Sequence, residues 1–150
     1  MATISVSTLI EAPPAEVWAD VSELDSHVAW MADATAIRFT GTERSGTGTT
    51  FECDTRVGPL RLTDRMEITE WVPERIIGVR HAGLVTGEGR FMLAPAPGDA
   101  TDFTWTEILT FPPRLGGPIG AFVGAVVLRA VWRRNLVALK QRIEHRRVGA

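Results

Sequence analysis

GGPIGAFVGAVVLRAVWRRNLVALKQRIEHRR, from Gly116 to Arg147, is the stretch that decides the fold. Two glycines end whatever precedes it. Pro118 suits a first helical turn, where its missing N–H has no partner to lose. At 100° per residue, Ala121, Ala125, Leu128, Trp132, Leu136, Leu139 and Ile143 fall on one stripe, which predicts a single long helix with that stripe toward the core. The first half of the stripe carries alanine and the second leucine, tryptophan and isoleucine. Such a helix fills the space beneath its C-terminal half and leaves room beneath its N-terminal half. Two fillings are open, a ligand cavity or large side chains from the opposing surface.

Ile119, Phe122, Val123, Val126 and Val127 lie opposite the alanines, so the first half of the helix is apolar all round. Its unbroken apolar run, Pro118 to Leu128, falls well short of the ~20 residues a membrane span needs, which argues against a transmembrane segment. Gly116, Gly120 and Gly124 recur every four residues, a spacing that suits close approach to another backbone. The outer face at Ile119, Phe122, Val123 and Val126 calls for a cover, and a homodimer or other protein partner is the leading candidate.

At 150 residues and 45% hydrophobic, the chain is long enough to bury one full core without staples, so residues 1–150 read as a single domain. The lone Cys53 has no partner for an internal disulfide, and no basic, apolar leader precedes Ile4; both favour a cytoplasmic protein. Seven basic residues between Arg129 and Arg147 face Glu144 alone. The cluster reads as a solvated helix C-terminus, where cations are favoured, and not as a nucleic-acid surface, because no aromatic side chains are interleaved for base stacking except the inward Trp132.

Thr3 to Glu11 alternates as a half-buried strand does. Pro13-Pro14 then opens a short helix with Val17, Trp18, Val21 and Leu24 on one face, and Asp25 to Met31 is a second helical piece that brings in Trp30. From Ala34 to Pro112 the pattern becomes strands: Thr35–Thr40, Thr49–Val57, Leu60–Trp71, Arg75–His81, Thr86–Ala94 and Thr101–Phe111. Turn signals at Ser45-Gly46, Gly58-Pro59, Pro73, Gly83 and Pro97-Gly98 separate them, and short turns mean hairpins. The whole is an α+β domain, a seven-stranded antiparallel sheet curved around the terminal helix, with two short helices between strands one and two.

Centring the hairpins on those turns pairs Phe51 with Met66, Met66 with His81, Ile77 with Phe91 and Phe91 with Trp105, all on one face. Leu62, Ile68, Val79, Leu93, Phe103 and Leu109 are in phase with them, while the other face carries Glu52, Asp54, Arg56, Arg61, Arg65, Glu67, Arg80, Glu88 and Arg90. Three ionisable residues interrupt the apolar face: Asp64, His81 and Glu107. Glu107 falls across from Gly89 and His81 across from Gly87, so glycines leave space beside two polar groups, the pattern of a pocket with a few oriented polar contacts. Otherwise an arginine holds Asp64, His81 sits at an open rim, and Glu107 reaches solvent through a bulge.

In Ile10-Glu11-Ala12-Pro13-Pro14-Ala15-Glu16-Val17-Trp18, in Trp30, in Leu62-Thr63-Asp64-Arg65-Met66 leading to Glu70-Trp71-Val72-Pro73-Glu74-Arg75, and in Thr104-Trp105-Thr106-Glu107, the chain resembles the Bet v 1-like, START and polyketide cyclase/dehydratase (SRPBCC) superfamily along its whole length. The resemblance implies a helix-grip fold whose cavity holds a lipid, a polyketide or another small apolar molecule, and it implies no single reaction. The ligand-facing set expected here is Phe51, Asp64, Met66, Val79, His81, Phe91, Phe103, Trp105 and Glu107 from the sheet, with Ala121, Ala125 and Trp132 from the helix.

Chemistry beyond binding has narrow support. His27, His81 and His145 lack ligand spacing with Cys53 or acidic pairs, so neither a metal nor another cofactor is expected. Ser45-Gly46-Thr47-Gly48-Thr49 lacks the lysine of a phosphate loop. No serine stands in a nucleophile elbow and nothing in sequence activates Cys53. Acid/base work shared by Glu107, Asp64 and His81 is the remaining catalytic reading, as a cofactor-free cyclase or dehydratase; with no tyrosine in the chain, any mechanism that relies on a phenol is ruled out. Hydrophobic-ligand binding comes first, that enzyme second, and a regulatory or toxin-like interaction module third.

Overall fold

The computed structural model describes residues 1–149. Strand β1 (Ala2–Ile10) leads to helix α1 (Pro14–Val21) and a 3₁₀ turn (Leu24–Ala29). Then follow β2 (Ala34–Phe39), β3 (Thr50–Val57), β4 (Leu60–Val72), β5 (Ile76–Ala82), β6 (Thr86–Ala96) and β7 (Ala100–Thr110). A second 3₁₀ turn (Pro113–Leu115) precedes helix α2 (Gly117–Val148). All neighbouring strands are antiparallel in the order β1-β7-β6-β5-β4-β3-β2. The fold is thus the expected seven-stranded sheet with one long helix. Strand ends differ from the sequence reading by a residue or two, and the second short helix is the tighter 3₁₀ form, starting at Leu24 instead of Asp25.

Register follows from period-two patterning joined by tight turns, and the four expected pairs occur: Phe51 with Met66, Met66 with His81, Ile77 with Phe91, and Phe91 with Trp105. A bulge between Ile68 and Glu70 in β4 sets Trp71 opposite Ile77. No such irregularity interrupts β7, which pairs continuously with β6 from Ala100 to Thr110.

Helix α2 packs chiefly on β1. Its second half buries Trp132, Leu136, Leu139 and Ile143 against Ile4, Val6 and Ile10 in one core. At about 25 cal/mol per Å² of apolar surface removed from water, side chains of this size each contribute roughly 1.5–3 kcal/mol. The basic C-terminal turns brace the rest of the chain. Arg142 and Arg146 both reach the buried Asp20 of α1 (3.0 and 3.2 Å), Arg147 reaches Glu16 (3.4 Å), and Lys140 donates to Glu144 (2.6 Å) and to the Leu9 carbonyl. Much of the charge expected to face solvent is therefore engaged within the chain.

The glycine repeat serves the start of α2. A Cβ on Gly120 would come within 1.8 Å of the Leu115 carbonyl oxygen, and one on Gly124 within 3.2 Å of the Phe111 ring. These glycines let the helix turn tightly onto the segment that leads into it. The outward face stays open: Ile119 is 78% and Phe122 72% exposed. No helix among the described residues is long and apolar enough to cross a membrane.

Candidate functional site

Where α2 thins, the sheet and helix enclose a cavity of ≈ 210 Å³. Its walls are mostly apolar: Phe51, Leu62, Met66, Ile68, Ile77, Val79, Phe91, Leu109 and Phe111 among others. Trp105 and Trp132 stack at 4.4 Å, 17° from parallel, and close the end where the core becomes solid. Of the twelve residues expected to face a ligand, Phe51, Asp64, Met66, Val79, His81, Phe91, Trp105, Glu107 and Trp132 line this space. Phe103, Ala121 and Ala125 do not. Phe103 is wholly buried behind the Phe91 ring, 5.2 Å away. Ala121 stays buried on the inward stripe and Ala125 packs beside it, but the cavity lies to one side of that stripe, bordered by Gly124, Val127 and Leu128. Val127, still 40% exposed, stands at the edge between this cavity and the outer face.

Three ionisable side chains converge within these walls. His81 of β5 is 6% exposed, with Nε2 2.8 Å from Glu107 Oε2 and Nδ1 3.5 Å from Asp64 Oδ2. Both contacts lie off the line of the ring N–H bonds, so they are close charge contacts without aligned hydrogen bonds, and Asp64 Oδ1 has no partner either. Glu107 is also held by the Trp105 indole, whose Nε1–H donates to Oε1 over 3.1 Å.

The glycines explain how β5 and β7 meet. Those strands are separated by β6, a distance of about two strand spacings or ~10 Å, and opposite His81 and Glu107 β6 carries Gly87 and Gly89. A Cβ on Gly89 would lie 2.7 Å from Glu107 Oε1, so the carboxyl group leans across β6 through space that any other residue would fill. Gly83 does the same for Asp64, where a Cβ would be 2.7 Å from Oδ1.

The environment sets the charge of each group. Burial opposes protonation of His81, but Glu107 and Asp64 outweigh it and push its pKa up to about 10, so the ring is an imidazolium at neutral pH. His27, at the cavity's other side, is lowered by burial; its Nε2–H donates to the Val21 carbonyl at 2.7 Å and the ring is neutral. Burial pushes the Cys53 thiol up to about 11, which leaves it a poor nucleophile.

One polar lining residue, Asp33, and the buried Asn135 that holds it went unread in the sequence. Asp33, in the turn before β2, accepts hydrogen bonds from Trp132 Nε1 (3.0 Å) and Asn135 Nδ2 (2.7 Å), and Asn135 Oδ1 accepts from the Ala32 N–H (3.0 Å). This lock fixes the Trp132 ring. Asn135 lies three residues beyond Trp132 on the inward stripe, a polar residue at a core position, and that was the available signal. Asp33 offers none.

No group of three or more His, Cys, Asp or Glu among the described residues has a metal-holding arrangement. The sequence matches the profile of a family described as "Polyketide cyclase / dehydrase and lipid transport" over residues 1–144. No curated protein matches it. Similar solved structures include TTHA0849 from Thermus thermophilus (18% identity, 95% of this chain and 97% of that one, TM-score 0.80). A START superfamily protein from Mycobacterium smegmatis shares the fold at 13% identity (97% and 99% covered, TM-score 0.79). So does the Zhui aromatase/cyclase from Streptomyces sp. R1128 (18% identity, 96% and 94% covered, TM-score 0.69).

Proposed function

The chain belongs to the polyketide cyclase/dehydrase and lipid transport family, as a START-like ligand-binding domain, and from that premise we propose that its cavity holds a compact, mostly apolar organic molecule whose polar end meets the His81–Glu107 pair. One observation carries this reading: an apolar cavity into which a buried imidazole and a buried carboxyl oxygen present unpaired hydrogen-bonding capacity. Polar groups buried without partners cost about 1–3 kcal/mol each, a cost a bound ligand would remove. The volume is below the roughly 300–1,000 Å³ of most small-molecule pockets, which favours a compact skeleton over a long acyl chain.

The contact between His81 and Glu107 also supports a catalytic reading. In a cyclisation–dehydration, Glu107 would take a proton from carbon as the new C=C bond forms. The His81 imidazolium would protonate the departing hydroxyl, which leaves as water. The proton on Glu107 then returns to His81 across 2.8 Å, and the site is reset with no outside reagent.

Uptake of a neutral, apolar solvatochromic dye tests the binding reading. The folded protein is expected to bind one equivalent with a blue-shifted emission, and Val79→Trp, which fills the cavity, to abolish the signal while far-UV circular dichroism stays unchanged. A folded wild type that takes up no dye, or a folded Val79→Trp that binds as well, refutes it. Glu107→Gln separates the two readings, since loss of turnover with retained binding supports catalysis.

A further inference from the structure

The charges around the cavity are unbalanced, and that limits which head group fits. Asp33, Asp64 and Glu107 border it with carboxylates, while His81 is the one inward cation among the described residues. Arg90 also touches the lining, but its guanidinium bonds Glu70 at 2.8 Å and is 55% exposed. His27 is neutral. Each ring nitrogen of His81 stands within 3.5 Å of a carboxyl oxygen, so any ligand atom that reaches the imidazole also meets a carboxylate. The unpaired Asp64 Oδ1 adds an acceptor that a donor must answer.

Resting on the ligand-binding reading above, we propose that the cavity takes ligands whose polar end donates hydrogen bonds, a hydroxyl or a protonated amine on an apolar skeleton, and turns away carboxylates. A hydroxyl accepts from the His81 N–H and donates to Glu107 or Asp64 in the same position. A protonated amine donates to both carboxylates and offsets the negative excess. An anionic head gains one contact to His81 and meets two or three like charges in a water-poor space, where such repulsion is strong. The site therefore selects against the head of a fatty acid although its walls suit the tail.

Hexanol, hexylamine and hexanoate share one apolar tail and differ in the head, and Trp105 and Trp132 provide a fluorescence readout. At neutral pH hexanol and hexylamine are expected to bind with hexanoate on the order of 100-fold weaker. Glu107→Gln, and separately Asp64→Asn, should each narrow that gap about tenfold by removing one like charge. Hexanoate binding as tightly as hexanol overturns the proposal and leaves the cavity reading intact. If none of the three binds while the neutral dye does, the head-group assignment is equally wrong; if the dye fails as well, both readings fall. Should either variant not fold, the three-ligand comparison on the wild type decides alone.

Discussion

Raising the pH should destabilise this protein chiefly through His81. Its pKa lies near 6.5 in the unfolded chain and about 10 in the folded one, raised by Glu107 and Asp64 against the opposing effect of burial. Below pH 6.5 both states hold the proton and the stabilisation is fully present. Above it the unfolded state releases its proton while the folded state keeps it until about pH 10. Unfolding then sheds a proton, and stability falls by about 1.4 kcal/mol per pH unit. Over the whole window the loss has an upper bound of about 5 kcal/mol, a large part of the 5–15 kcal/mol that holds a domain together. With a urea m-value of about 1–3 kcal/mol per molar, the denaturation midpoint should move down by roughly 0.5–1.4 molar per pH unit. His81→Gln is the reference. It lacks the titration and leaves two carboxylates facing each other, so it should be less stable than the wild type near neutrality and draw level as the pH approaches 10. Cys53, raised from near 9 in the unfolded chain to about 11, adds a loss of its own above about pH 9, but it does so equally in wild type and variant and cancels in the comparison. Midpoints of wild type and variant that run parallel from pH 8 to 10 would show that the imidazolium is not held by these carboxylates.

Two substitutions test the parts that position the trio. Gly89→Ala places a Cβ 2.7–2.9 Å from three atoms of Glu107 and should push that carboxyl group off His81; overpacking of this kind costs typically 1–3 kcal/mol, and the imidazole pKa followed by NMR should fall, whereas an unchanged titration rejects the role given to Gly89. Asn135→Asp sets a second carboxylate against Asp33 Oδ1, where the amide now donates over 2.7 Å, and should destabilise by about 3–5 kcal/mol at neutral pH, roughly 6–20 °C in Tm, with partial recovery in acid; a Tm that ignores pH counts against it.

The sheet was legible because its information is local. Period-two alternation and turn residues fix which residues face together, and that was enough to place Asp64, His81 and Glu107 on one apolar surface and to set Gly87 and Gly89 beside them. What alternation does not carry is reach across a strand. That His81 touches Glu107 over β6 depends on Gly89 lacking a side chain and on the Trp105 indole steering the carboxyl group, whereas Gly87 is required by its own backbone (φ 145°), where a Cβ would strike the Ile108 carbonyl. At the start of α2 the inward stripe was legible but the place of the cavity beside it was not, for a related reason. Where the helix sits over the sheet there depends on the close fit of Gly120 on Leu115 and Gly124 on Phe111, contacts absent from the periodicity. Asp33 was invisible because a turn aspartate ordinarily caps or solvates, and its partners lie about a hundred residues away in sequence.

A buried ion cluster is a poor way to stabilise a domain. Taking charged groups out of water costs several kcal/mol each, and a set of apolar side chains of similar volume is often as stable or more so. Here the arrangement asks for further concessions: a glycine at 89 inside a strand, where it weakens the strand, and two nitrogens and one oxygen without hydrogen-bond partners in an apolar space. The surrounding core, from Ile4 to Ile143, shows that this chain packs apolar groups without difficulty where nothing else is required. Local rules of stability are thus broken at one place only within the sheet's inner face, and that place is the cavity wall. Sites that depart from an otherwise consistent fold are where function is expected, and the departure here has a definite chemical form: a buried imidazolium set between two carboxyl groups in the wall of an apolar cavity.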